Sequence, residues 1–172
     1  MEVGNSFGLV DTYLPQHIIA IRLVLAGIFG AIIGFEREQH SSGAGLRTHI
    51  LIAIAASLFT ILAFEIFHTI DEGGQGGQGG QRADPIRAVE AVTAGIAFLG
   101  AGAIFRRGSG VQGLTTGAGM WLAGAVGVAT ALGHYIIAGG VALLAVLVMA
   151  SLRFFAHQVL RQAAPEKERL DP

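Results

Sequence analysis

The sequence predicts an all-α, polytopic membrane protein with five transmembrane helices, and three observations predict it. Only 13% of the 172 residues are charged and 52% are hydrophobic, whereas a soluble domain carries about 25% charge. Five apolar stretches come close to the roughly 20 residues that a spanning helix needs: 18–35, 49–67, 88–105, 116–132 and 135–154. Lys and Arg fall in alternate connections. With the N-terminus outside, the inner segments hold Arg37, Arg47, Arg106, Arg107, Arg153, Arg161, Lys167 and Arg169, against Arg82 and Arg87 outside and Arg22 just within the outer face. By the positive-inside rule this gives an N-out, C-in topology.

Taken in order, residues 1–17 form an N-terminal lead that lacks Lys and Arg, and so lacks the basic start of a cleavable signal. Pro15 ends this lead. Residues 18–155 make the transmembrane domain. The first span carries Arg22 and the second Glu65 near its far end. Between spans two and three lies GGQGGQGGQ at 73–81. It lacks the preceding strand and following Lys-Ser/Thr of a phosphate-binding loop, so it is expected to be a flexible linker. The third span carries Glu90 near its start. Only Gly133-His134 separates the fourth and fifth spans, which must turn back tightly on each other. Residues 156–172 are expected to be a cytoplasmic tail.

A shift of 68 residues places Ala26-Gly27-Ile28 on Ala94-Gly95-Ile96, Gly34 on Gly102, and Gly45-Leu46-Arg47-Thr48 on Gly113-Leu114-Thr115-Thr116. Spans one and two would then repeat as spans three and four, in parallel. The same shift carries Arg22 onto Glu90. Two opposite charges at equivalent depth either pair with one another or snorkel separately to the outer interface.

Small residues let membrane helices approach closely. Gly30 and Gly34 in span one, Gly95, Gly100 and Gly102 in span three, and Gly119 and Gly127 in span four are the candidate packing positions. They can serve a monomer core, a homodimer face, or both.

Two polar groupings are candidates for function. On the inner side Glu36, Arg37, Arg47, Thr48, Arg106, Arg107, Thr115 and Thr116 make a mixed-charge ring. It reads as an ion gate, a docking surface, or plain anchoring to the inner leaflet. On the outer side Asp84 precedes Pro85, the pattern of an N-cap. Arg87 and Glu90 share a face at i, i+3. Asp84, Glu90 and Glu65 could offer oxygens to a hard cation such as magnesium, although Arg22 and Arg87 oppose this; whether a metal binds stays open. The six histidines show no metal-ligand spacing, and the absence of cysteine excludes disulfides and thiolate metal sites. No nucleophile–base arrangement and no cofactor motif is present, so no enzymatic role is expected. A net charge of −1 argues against a nucleic-acid partner. The lipid bilayer is the expected environment.

The motifs GFERE at 34–38, AGLRTH at 44–49, DPIR at 84–87, GIAFLGAGAI at 95–104 and GLTT at 113–116, followed by Trp121, resemble the MgtC/SapB family of bacterial membrane proteins over residues 22–132. The resemblance implies an inner-membrane protein linked to magnesium limitation, acid stress and, in pathogens, survival inside macrophages. It implies a regulator of membrane energetics, with the F-type ATP synthase as a possible partner. The chain looks like the short SapB-type members that lack the family's cytoplasmic C-terminal domain. Glu36, Arg37, Arg47, Thr48, Asp84, Arg87, Gly100, Gly102, Thr115 and Thr116 carry over by motif. The chain departs from the pattern at Ala97, where glycine is usual, and at Glu90, where an amide is common. The alternatives are a small ion or solute transporter with a polar site formed by Arg22, Arg87 and Glu90, and a purely structural membrane module.

Overall fold

The computed structural model describes residues 12–39, 43–72 and 84–162. The expected linker at 73–81, most of the N-terminal lead and the last ten residues lie outside the described residues. The elements are α1 (Gln16–Glu38), α2 (Leu46–Glu72), α3 (Pro85–Gly102), β1 (Phe105–Arg107), β2 (Gly110–Gln112), α4 (Leu114–Ala131) and α5 (Tyr135–Gln162). The fold is thus mainly α-helical, with the five helices expected. Helix α5 continues through 156–162, which the sequence assigned to the tail.

Among the described residues four helices are long and apolar enough to cross a membrane: Gln16–Glu38, Leu46–Thr69, Leu114–Ala131 and Tyr135–Phe155. Helix α3 is not among them. It has 18 residues and carries Arg87 and Glu90 in its first two turns. Its packing nevertheless takes it along the length of α4 in the opposite direction. Gly100 meets Gly117, Ile96 meets Gly124, and Val89 shares a small cavity with Val128.

Local chemistry explains where the elements start and stop. Asp84 accepts a hydrogen bond from the Ile86 N–H at 2.9 Å, and Pro85 supplies the first turn of α3. The short β1–β2 hairpin was not expected. Its two-residue loop begins at Gly108 with φ +62°, the positive φ that the tight turns of two-residue hairpins require at their first central position. Helix α4 ends in a Schellman motif: His134 N–H donates to the Ala129 carbonyl (2.9 Å) and Gly133 N–H to the Thr130 carbonyl (3.0 Å). Gly133 holds the left-handed position at φ +83°. This produces the tight α4–α5 turn that the sequence required.

The core sits where α1, α2 and α4 meet. Ala26, Ile33, Ala53, Ala56, Ala123 and Val126 are buried there. A Cβ on Gly30 would lie 2.7 Å from the His49 carbonyl oxygen, and one on Gly34 would lie 2.8 Å from the Leu46 Cα. A Cβ on Gly127 would collide with the Ala53 carbonyl, and Gly100 and Gly117 face each other backbone to backbone. Gly95 and Gly102 are different. Nothing lies within 4 Å of where their Cβ would be. Within the chain they make no close helix contact: Gly95 lines the open groove between α2 and α3, and Gly102 is exposed.

The contrast is testable. Gly127→Ala is expected to destabilise the purified protein by about 1–3 kcal/mol, the usual cost of overpacking, while Gly95→Ala leaves thermal stability in detergent unchanged. Equal melting temperatures for the two variants would refute this account of the core.

Candidate functional site

Two polar clusters lie at opposite ends of the helices. The first joins α1, α4 and α5. Glu36 is 7% exposed although it is a carboxylate at the end of an apolar helix. Arg153 of α5 ion-pairs with it through Oε1, and the Arg37 Nη1 stands 4.0 Å from Oε2. Arg37 also donates from Nη2 to the Thr116 hydroxyl of α4 at 3.3 Å and lies beside the Met149 sulfur of α5. A buried charge is tolerated only when paired and hydrogen-bonded. Here three helices supply the groups that do so.

The sequence-predicted inner ring therefore divides. Glu36, Arg37 and Thr116 come together in the interior. Arg47, Thr115 and Arg106 are exposed, and Thr48 is half-buried. Arg153 was foreseen only as a charge setting topology. The burial of Glu36 called for a cation, but choosing Arg153 over Arg106 or Arg107 depends on which helix end lies opposite.

The motif residues next to this cluster have structural work. Glu38 Oε2 accepts a hydrogen bond from the Leu46 N–H at 2.9 Å, at the start of α2. The carboxylate fits because a side chain at Gly45 would collide with it. An anion at a helix N-terminus is favourable. His49 is fully buried. Its Nδ1 pairs with the Gly45 carbonyl at 2.8 Å. Its Nε2 is buried against Gly119, where an added Cβ would stand 3.0 Å away, and has no hydrogen-bond partner among the described residues. Gly34 and Gly119 thus make the slot that this ring fills. The signal for it in the sequence was the set of glycines, which gave no indication of what they enclosed.

The second cluster ties α1 to the α4–α5 turn. Arg22 donates from Nε to the Tyr135 hydroxyl at 3.2 Å and from Nη1 to the Ala131 carbonyl, one of the free carbonyls ending α4. The cation also suits the negative end of that helix. Glu90 and Arg87 are exposed on α3. Arg22 therefore binds the end of α4 and the start of α5, while Glu90 stands exposed, so of the two alternatives the sequence left open, the two charges stay separate. The proposed oxygen set does not assemble either. Glu65 accepts hydrogen bonds from Tyr13 N–H (2.8 Å) and Leu14 N–H (3.0 Å), and Asp84 caps α3. Among the described residues no three His, Asp or Glu side chains come together as a metal site.

These features define a multi-pass, α-helical membrane protein whose interior charges are paired between helices. The MgtC family model matches residues 23–158, and the chain belongs to that family. It is 39% identical over 118 residues to YhiD of Escherichia coli K12, which is named as a candidate magnesium transporter; the match covers 67% of this chain and 51% of that protein. It is 33% identical over 128 residues to protein SapB of Bacillus subtilis, covering 74% of this chain and 53% of SapB. It is 41% identical over 106 residues to protein MgtC of Brucella abortus, covering 60% and 39%. The chain spans about half the length, or less, of these relatives. No solved structure matches it. The chain is a multi-pass protein of the bacterial inner membrane.

A charge exchange tests the placement of Arg22. Arg22→Glu is expected to lower the yield of folded protein, and adding Glu90→Arg should not restore it, because the partners of Arg22 are on α4 and α5. Rescue in the double variant, read by size-exclusion chromatography in detergent, would reinstate the Arg22–Glu90 pair. Glu38→Ala is expected to cost about 1 kcal/mol, as for loss of a helix N-terminal cap, measured by thermal unfolding.

Proposed function

We propose that this protein supports magnesium homeostasis and adaptation to low magnesium or acid stress as a non-enzymatic regulator of membrane energetics. Magnesium enters this reading through the name given to YhiD. The observation that favours a regulator over a conduit is the state of Glu36. This buried carboxylate is held by the guanidiniums of Arg153 and Arg37. Its charge is offset within the protein, whereas a path for a hard cation needs oxygens that the cation can claim. A regulator works instead through its outer surface, on another membrane complex such as the F-type ATP synthase. Helix α5 offers extensive surface for this, with Ile136 at 92%, Leu147 at 64% and Leu152 at 64% exposed.

The second reading, a transporter, rests on the same relative's name and on the exposed charges of Arg87 and Glu90 at the start of α3. Reconstitution separates the two. Proteoliposomes loaded with a fluorescent magnesium indicator are expected to show no magnesium entry above that of protein-free vesicles. Inverted membrane vesicles carrying the protein are expected to pump protons more slowly on ATP addition than vesicles without it. Magnesium entry that Glu90→Gln abolishes would overturn the regulator and establish the transporter.

A further inference from the structure

We infer that α1, α4 and α5 form a binding site for one anionic phospholipid, with an acyl chain in the groove between α4 and α5 and the phosphate at Arg153. The groove has a volume of about 350 Å³ and is apolar, within the range of small-ligand sites. Its floor is Ile33 of α1 and Gly119 of α4, and its walls include Leu144 and Val148 of α5. It opens outward, since Ala118, Leu144 and Val148 are exposed. In a membrane such an opening meets hydrocarbon.

Charge at one end selects the occupant. The groove finishes at Thr115 and Met149. The Met149 sulfur touches the Arg37 guanidinium, and Arg153 follows one turn later on the same face of α5. The Arg153 side chain is 29% exposed while one of its nitrogens holds Glu36. A guanidinium has five N–H donors in a planar fork suited to phosphate, so it can hold Glu36 and still turn donors outward. The α4 and α5 walls carry no negative charge, because no Asp or Glu occurs in residues 91–165, and the carboxylate at this end, Glu36 of α1, is shared between Arg153 and Arg37. The larger groove between α2 and α3, about 390 Å³, is lined only by apolar residues and glycine. It offers a chain but no headgroup contact. Basic pockets between membrane helices are the usual seats of anionic headgroups. The α4–α5 groove combines both halves of such a lipid's chemistry.

The test uses the full chain purified in detergent and stripped of lipid, then given phosphatidylglycerol or phosphatidylcholine with matched acyl chains. Bound lipid is counted by native mass spectrometry, and thermal unfolding is followed in parallel. The wild type is expected to retain one phosphatidylglycerol over phosphatidylcholine by about fivefold, the scale of one basic residue near a membrane surface. Arg153→Gln should lose the preference between headgroups, and Arg153→Lys should keep most of it. Ala118→Leu changes an exposed groove residue, so it should fold, and it should lose retention of both lipids. Equal retention of the two lipids by the wild type would overturn the proposal. So would unchanged retention in Ala118→Leu, or thermal protection by inorganic phosphate alone equal to that by phosphatidylglycerol.

Discussion

The close approach of α1, α2 and α4 is the constraint on which the other features rest. Between membrane helices there is little hydrophobic drive to associate, because the surrounding tails are as apolar as the side chains. Packing contact and polar pairing must hold the helices instead. Gly30 and Gly34 bring α1 onto the backbone of α2 near His49, and Gly119 and Gly127 bring α4 onto the same stretch of α2 at His49 and Ala53, beside α1. His49 fills the space so created. Replacing any of these glycines with a larger residue would force the helices apart. It would also separate Arg37 on α1 from Thr116 on α4, which meet only because the two backbones are close.

The polar residues follow a common pattern. Most of them end a helix or join two. Glu38 serves the start of α2, Asp84 the start of α3 and Arg22 the end of α4. Each satisfies backbone groups that a helix leaves unpaired at its termini, which matters most where water is scarce. Glu65 fixes the segment before α1 through two backbone amides, beside the stacked rings of Tyr13 and His68. Motif residues that look like a catalytic or ion-binding set are, in large part, the means of closing helix ends at membrane depth.

Much of the fold was legible because lipid imposes long apolar helices whose connections differ in charge. The helix starts at Pro85 and Tyr135 and the packing role of Gly30, Gly34, Gly100, Gly119 and Gly127 could be read from residue type and spacing. The β1–β2 hairpin could not, since its strands are three residues each. Gly95 and Gly102 have no close neighbour within the chain, and a glycine on a helix does not reveal whether a neighbour stands opposite it. The shift of 68 residues carries the first residue of α2, Leu46, onto the first residue of α4, Leu114, and both helices pack in the same direction. It could not choose between pairing and separation at Arg22 and Glu90, where one side chain turns toward the end of α4 and the other is exposed. The site was half legible: Glu36, Arg37 and Thr116 stand in their motifs, while Arg153 is brought to them only by the return of α5.

The contact of Arg22 with the α4–α5 turn bears on how the chain is made. Its partners arrive 109 and 113 residues later in synthesis. Until the last hairpin enters the bilayer, a guanidinium in the first helix has neither the Ala131 carbonyl nor the Tyr135 hydroxyl to bind. The nascent first helix must keep that group near the headgroups or in water. Arrival of α4 and α5 then releases it to dock, so biogenesis ends with a late locking step that a ribosome-stalled chain, halted before residue 131, could not make.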